Sequence, residues 1–170
     1  GEVKVGNSSY MTDIDAVRFQ GVSNEVVHID MLPLTAPFRP NLAIYNANGD
    51  NLYEVTAGDN GLAAMEYRLP ATGIYNLRMM DYYGTRTGLF TIATTWLTPG
   101  RAPATNNPSM GWITNGEVKV GTVKFPTDID TVWFDGKSNE VVYVQMQPLT
   151  TGFRPNLCLY DNNGAYITGV

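Results

Sequence analysis

A long internal repeat constrains this sequence more than any other feature. Residues 1–55 align without a gap to residues 116–170, and 31 of the 55 paired positions are identical. Whole phrases recur, including GEVKVG, TDID, SNEVV and FRPNL. A fixed period of this length is typical of an array of similar domains rather than of a solenoid built from short repeats. We therefore interpret the chain as tandem homologous units.

Within the first unit, short apolar runs alternate with turn signals, which is typical of β-strands. Val27, Ile29 and Met31 alternate with His28 and Asp30, as a strand with one buried face requires. No stretch combines a helical apolar period with helix caps. The pattern predicts an all-β fold, a β-sandwich most simply of jelly-roll type, with about eight strands per unit. The predicted strands are Glu2–Val5, Ala16–Phe19, Glu25–Leu32, Leu42–Tyr45, Leu52–Val55, Ala63–Leu69, Gly73–Met80 and Leu89–Trp96.

Three segments follow from the repeat. Residues 1–97 are predicted to form a complete β-sandwich unit, and residues 98–115, rich in Pro, Asn and small residues, an extended linker. Residues 116–170 are predicted to form the first half of a second, homologous unit. Five strands would leave unpaired edges and half of a core uncovered. We expect the other strands to come from a continuation of the protein or from a neighbouring molecule.

Two pairs of residues indicate tight hairpins. Asn48-Gly49 and its counterpart Asn163-Gly164 each lie between apolar runs. Asn-Gly accepts the positive φ of a tight hairpin, so each pair is predicted to join two strands. The single cysteine, Cys158, lies between two leucines and is predicted to be a small buried apolar residue.

Composition excludes several classes of function. The formal net charge is −5 and no cluster of basic residues is present, so we expect no nucleic-acid partner. No apolar run is long enough to predict a membrane span. The only histidine is His28, and the sequence supports no Ser/His/Asp or Cys/His set within one unit that could supply a nucleophile and its base. The sequence therefore predicts a protein that is not an enzyme.

Two pairs of aspartates are the candidate metal ligands. Asp13 and Asp15 precede a predicted strand, and Asp128 and Asp130 occupy the matching positions of the second unit. Carboxylates two residues apart, together with nearby carbonyl groups, could bind Ca²⁺. The alternative is structural, because Asp caps turns by accepting hydrogen bonds from backbone amides and could also pair with an arginine, here Arg39 or Arg154.

A candidate ligand site lies near the end of the first unit. Tyr82, Tyr83 and Arg86 are predicted to occupy a hairpin loop. Aromatic rings of this kind could stack on a sugar or a peptide. The partner would then be a polysaccharide or a protein ligand; the alternative is a solvated loop without a ligand.

The first unit resembles the bacterial pre-peptidase C-terminal domain family. The motifs that carry the resemblance are TDIDAVRF, NLAIYNANGDNL, LPATGIYNLRM and GLFTIATTW, and the second unit repeats the first half of the pattern. The resemblance implies a β-sandwich similar to calcium-binding collagen-binding domains. It also implies a non-catalytic appendage of a secreted hydrolase or a part of a surface protein.

These features predict a non-catalytic extracellular module. We expect a tandem array of β-sandwiches from a secreted or cell-surface prokaryotic protein, acting in structure, adhesion or fibre assembly. Its partners would be neighbouring copies or further repeats, which could complete the second unit by strand addition. The alternative is a substrate-targeting accessory domain of a secreted peptidase or glycosidase.

Overall fold

The computed structural model describes residues 2–99 and 110–170, and its regular structure is concentrated in the first unit. Eight strands follow one another there, each within a few residues of its predicted place. They are β1 (Glu2–Ser8), β2 (Asp15–Gly21), β3 (Val26–Pro33), β4 (Pro40–Tyr45), β5 (Asn51–Thr56), β6 (Ala63–Arg68), β7 (Gly73–Asp81) and β8 (Gly88–Trp96).

The eight strands form two antiparallel sheets. One has the order β1-β8-β3-β6 and the other the order β2-β7-β4-β5. The predicted all-β fold and β-sandwich are confirmed. Of the connections among these eight strands, only that between β4 and β5 stays within one sheet, while the others cross between the two sheets. No helix in the described parts of the chain is long and apolar enough to cross a membrane.

The core lies between the two sheets, and strand alternation places it there. Val27, Ile29 and Met31 point inward from β3 and are fully buried. Phe38 stacks on Phe90 with ring centroids 6.0 Å apart, and both rings are inaccessible to solvent. Burying a side chain of this size stabilises a fold by roughly 1.5–3 kcal/mol. The sandwich therefore rests on a continuous apolar layer.

The second unit contains little sheet. Its strands are β9 (Gly111–Trp112), β10 (Val132–Trp133), β11 (Cys158–Tyr160) and β12 (Tyr166–Gly169), and β9 pairs in parallel with β10. The strands expected at Glu117–Val120 and Glu140–Gln147 do not form. Cys158 is exposed, so its predicted burial is wrong, because β11 has no second sheet above it. Residues 100–109 of the predicted linker lie outside the described residues.

Both Asn-Gly pairs join two strands as predicted, but each connection is a five-residue loop in which the glycine, and not the asparagine, has a positive φ. Asn48-Gly49 joins β4 to β5, and Asn163-Gly164 joins β11 to β12. Gly49 has φ +88° and Gly164 has φ +77°, which are values that glycine adopts without strain.

Candidate functional site

Tyr82, Tyr83 and Arg86 lie in the connection between β7 and β8. Because β7 and β8 belong to different sheets, this segment crosses one end of the sandwich. The prediction of a hairpin loop is therefore wrong. The segment turns at Gly84, which has φ +64°, and the Gly84 carbonyl accepts a hydrogen bond from the Thr12 amide at 3.0 Å. The β1–β2 loop thus supports the crossing segment from one side.

Asp81 fixes the start of the same segment. Its side chain is buried, and each carboxylate oxygen has a backbone donor. The amide of Arg39 donates to Oδ1 at 3.0 Å and the amide of Thr85 donates to Oδ2 at 3.1 Å. One aspartate therefore holds the β7–β8 segment against the residue that precedes β4, which keeps both backbones in a defined geometry.

Arg39 lies across the two tyrosines. Its guanidinium carbon is 4.9 Å from the ring centroid of Tyr82 and 5.1 Å from that of Tyr83. Nε donates to the Ala57 carbonyl at 3.0 Å, and Nη1 donates to the Tyr83 hydroxyl at 2.7 Å. These acceptors are neutral, so they orient the guanidinium without cancelling its charge. Cation–π contacts of this kind contribute about 0.5–1 kcal/mol at exposed sites.

A second arginine, Arg86, also lies near Tyr83. The guanidinium of Arg86 is 6.0 Å from the Tyr83 ring centroid, and its Nη1 is 2.7 Å from Oδ1 of Asp59. The hydrogen bond from Arg86 lowers the pKa of the Asp59 carboxyl, which keeps the pair ionised. We call Arg39, Asp59, Tyr82, Tyr83 and Arg86 the loop cluster.

The loop cluster presents two exposed aromatic rings. Tyr82 is 46% exposed and Tyr83 is 55% exposed, and their rings meet edge to face with centroids 5.1 Å apart. Exposed aromatic edges beside an arginine suit a ligand that offers both a flat apolar face and an acceptor oxygen. Asp59 is already paired with Arg86.

The sequence located three of the five residues of the loop cluster. Tyr82, Tyr83 and Arg86 were predicted as a set, and the structure brings them together. Arg39 and Asp59 were missed as members because they come from other connections. The only available signal for Arg39 was the repeated FRPNL phrase. The proposed pairing of Arg39 with Asp13 or Asp15 is wrong, because its guanidinium bonds to Ala57 and Tyr83.

The first aspartate pair lies where the β1–β2 loop enters β2. Oδ2 of Asp13 accepts a hydrogen bond from the Ser9 amide at 2.8 Å, so Asp13 closes a turn. Oδ2 of Asp15 is buried and makes no hydrogen bond to another residue. Burial raises the pKa of the Asp15 carboxyl, and the nearby charge of Asp13 raises it further. A cation placed between the two carboxylates would relieve both effects.

The second aspartate pair repeats the turn of the first, but here the buried oxygen without a hydrogen bond is Oδ1 of Asp128. Oδ2 of Asp128 accepts from the Lys124 amide at 2.7 Å, as Asp13 does from the matching residue of the first unit. Burial and the charge of Asp128 raise the pKa of Asp130. Within residues 2–99 and 110–170, no three acidic, histidine or cysteine side chains are grouped as ligands for one metal ion. A calcium ion would therefore need backbone or water oxygens in addition to each pair.

His28 lies on the outer face of the β1-β8-β3-β6 sheet, and both of its ring nitrogens face carboxylates. Nε2 is 3.0 Å from Oδ1 of Asp30, and Nδ1 is 3.4 Å from Oε1 of Glu66. Burial of the ring lowers its pKa, but the hydrogen bonds and charges of Asp30 and Glu66 outweigh burial and raise it. Neither nitrogen is left to activate a nucleophile.

Comparison with known proteins gives likenesses of fold. The chain is similar to the pre-peptidase C-terminal domain of collagenase from Bacillus anthracis, with 14% identity and a TM-score of 0.47 over 55% of this chain and 88% of that one. It is also similar to PliG from Aeromonas hydrophila, a periplasmic inhibitor of g-type lysozyme. That match has 10% identity and a TM-score of 0.42, and covers 56% of this chain and 82% of the other.

No family model and no curated protein matches the sequence. The collagenase domain bears the name of the family that the motifs of the first unit resemble. At these identities and TM-scores the two similarities carry no inference about family, ligand or activity.

Proposed function

We propose that this chain is a non-catalytic interaction module from a secreted or cell-surface protein, built as a tandem array of β-sandwich units of the pre-peptidase C-terminal type. The second unit becomes a sandwich when strands equivalent to β6, β7 and β8 join it. These strands come from further residues of the same protein or from a neighbouring copy. The engagement of both His28 nitrogens by carboxylates supports a role without catalysis.

One observation carries this proposal, a difference in burial between matched residues. In the first unit Val27, Ile29 and Met31 are fully buried beneath the opposite sheet. Their counterparts Val142, Val144 and Met146 are 49%, 49% and 43% exposed. An open groove of about 250 Å³ runs beside them, and it is lined by Val144, Gln145, Met146, Pro155, Leu157 and Val170.

The exposed side chains provide a driving force for completion. Burying the exposed half of these three side chains would contribute roughly 2–4.5 kcal/mol, since full burial of one such side chain contributes roughly 1.5–3 kcal/mol. A whole domain is stable by only about 5–15 kcal/mol. Strand addition also supplies main-chain hydrogen bonds to an open edge, so it satisfies the backbone together with the apolar face.

The proposal can be tested by adding the strands that the second unit needs. A second copy of residues 56–97 is joined after Val170, and hydrogen exchange is measured at the amides of residues 140–147. We expect these amides to be unprotected in the parent chain at low concentration and protected in the extended chain. Protection that rises with concentration in the parent chain would identify a neighbouring copy as the donor.

A control separates specific completion from a general effect of length. The same extension carrying Leu77→Asp and Phe90→Asp in the added copy should give no protection, because both positions are fully buried in the first unit. Strong protection in the dilute parent chain, or none in the extended chain, would contradict the proposal.

The loop cluster favours a second candidate function, that of an accessory domain which holds a secreted hydrolase on its substrate. Its exposed tyrosines and oriented arginine offer a binding surface at one end of the first unit. The test is retention on insoluble polysaccharides and on gelatin. Tyr83→Ala should abolish retention, whereas Tyr53→Ala, an equally exposed tyrosine outside the loop cluster, should leave it unchanged. Equal effects of the two changes would count against this candidate.

A further inference from the structure

The outer face of the β1-β8-β3-β6 sheet is covered rather than open to solvent. Thr91, Ala93 and Thr95 point outward from β8, yet each is at most 4% exposed. Asp30 on β3 is also 4% exposed. Thr91 contacts Thr127 of the second unit, with the two hydroxyl oxygens 3.5 Å apart. The second unit therefore packs on the first although its own sheets are incomplete.

The β11–β12 hairpin makes the polar part of this contact. The hydroxyl of Tyr160 on β11 donates to Oε1 of Glu66 on β6 at 2.6 Å. At the tip of the hairpin, the carbonyl of Asn163 accepts a hydrogen bond from Nη2 of Arg68 at 2.6 Å. Burial raises the pKa of Tyr160, and the charge of Glu66 raises it further, so the hydroxyl stays protonated and remains a donor.

Gly164 allows the hairpin to approach the first unit closely. Gly164 lies directly over Val26, and a Cβ built on Gly164 would lie 2.7 Å from the Val26 Cβ. Both residues are buried. Only glycine allows the tip of the hairpin to approach the sheet this closely. The Asn-Gly pair thus has two roles. It closes the turn of the hairpin, and it allows the hairpin to pack closely on the neighbouring unit.

The first unit carries the same set of contact residues in its own hairpin. Tyr45, Asn48 and Gly49 match Tyr160, Asn163 and Gly164. A Cβ built on Gly49 would meet no atom within 4 Å. The tip of the first hairpin is therefore open, while the tip of the second is seated on a sheet.

We propose that the Tyr-x-x-Asn-Gly hairpin is a docking element by which successive units pack head to tail. The hairpin of one unit binds the outer face of β3 and β6 in the unit before it, through Glu66, Arg68 and Val26. The contact inside this chain is one such junction, and its extension along an array rests on the proposed function. The open first hairpin is the element that would meet a preceding unit of the same kind.

The junction can be tested in the full chain. Spin labels are attached to cysteines introduced as A71C and T168C, with Cys158→Ala to remove the native thiol. Ala71 and Thr168 are exposed and lie on different units. Electron–electron double resonance should give one narrow distance in the parent chain. Gly164→Ala should abolish the narrow peak, because the added methyl group would collide with Val26.

Two matched changes in the first hairpin control for local damage. Gly49→Ala strains a turn of the same kind, since both glycines have positive φ, but it creates no collision. It should keep the narrow peak. Tyr160→Phe should broaden the peak by removing the bond to Glu66, and Tyr45→Phe should not.

Three outcomes would overturn the docking proposal. They are a broad distribution in the parent chain, a narrow peak that survives Gly164→Ala, and equal loss in Gly164→Ala and Gly49→Ala. This measurement is independent of strand completion, which is followed by amide protection at residues 140–147. A narrow distance with no protection in the extended chain would support docking and contradict completion.

Discussion

At the scale of single residues, the two copies reproduce the same polar turns. Oδ1 of Asn46 accepts the amides of Asn48 and Asp50, and Oδ1 of Asp161 accepts the amides of the matching residues. Asn24 and its counterpart Asn139 both have positive φ, at 69° and 66°. Each of these features depends on at most five consecutive residues, so it forms whether or not a sheet is present.

Substitution of Asp15 can test the hypothesis that the first aspartate pair binds calcium. If Asp13 and Asp15 bind Ca²⁺, the ion stabilises the folded state by mass action, because the unfolded chain has no preformed site. Melting curves recorded with calcium and with excess chelator should then differ by several degrees, and Asp15→Asn should remove the difference. Identical curves for the parent chain would leave Asp13 as a turn residue and Asp15 as a buried, uncompensated carboxylate.

His28 should make stability depend on pH. The pKa of His28 is raised in the folded state from an ordinary value of 6.5. Its protonated ring therefore stabilises the fold fully below about pH 6.5, and this contribution is lost as the pH rises through the folded pKa. We expect His28→Gln to reduce the free energy of unfolding more at about pH 5.5 than at about pH 9. Urea denaturation at the two pH values measures the difference. A reduction that is equal at both, or larger at the higher pH, would contradict the assignment.

At the scale of elements, the sequence predicted all the strands of the first unit but only part of those of the second, where β10, β11 and β12 form and the strands at 117–120 and 140–147 do not. The alternation of Val27, Ile29 and Met31 specifies which face is apolar, and β6 and β8 are present to pair with β3. The SNEVV phrase recurs at residues 138–142, yet no strand forms there. A strand needs partners distant in sequence, so identical local patterns give different structures in the two units.

The loop cluster shows that a single sequence also predicts a binding site only in part. Tyr82, Tyr83 and Arg86 are close in sequence and were found together. Arg39 and Asp59 reach them only because β4 and β7 are neighbours and because Asp81 holds the Arg39 backbone. The order of strands in the sheet determines that contact, and a single sequence does not specify this order.

Substitutions of two matched glycines, Gly21 and Gly136, test how much more tightly the first unit is packed than the second. A Cβ on Gly21, the last residue of β2, would lie 2.2 Å from Cδ1 of Leu69 and 2.9 Å from the Tyr75 ring. Gly21→Ala should therefore reduce the free energy of unfolding by about 1–3 kcal/mol through overpacking. Gly136→Ala, at the matching position, should have little effect, since the nearest atom is 3.7 Å away on Phe134. Chemical denaturation measures both; equal losses would mean that the second unit is packed as tightly as the first.

At the scale of the whole molecule, the chain combines one finished sandwich with one copy of its first half. Arg39 and Arg154 belong to the same FRPNL phrase, but only Arg39 meets a tyrosine pair, because that pair follows β7. The second unit would gain a loop cluster of its own only together with the strands that complete it. Strands that completed the fold of the second unit would therefore also complete its loop cluster.

Substitutions of two matched phenylalanines, Phe38 and Phe153, would measure the difference in core packing between the two units. Phe38 is fully buried against Phe90, whereas its counterpart Phe153 is 36% exposed. Phe38→Ala should lower the free energy of unfolding by about 3–5 kcal/mol, because it leaves a cavity in a closed core. Phe153→Ala should change it by less than about 0.5 kcal/mol, as substitutions outside a core do. Urea denaturation followed by tryptophan fluorescence gives both values.

In a chain extended after Val170 by a second copy of residues 56–97, Phe153→Ala should lower the free energy of unfolding as much as Phe38→Ala does, because the added strands would enclose Phe153. If Phe153→Ala remains without effect in the extended chain, the repeat in the sequence does not specify a second sandwich.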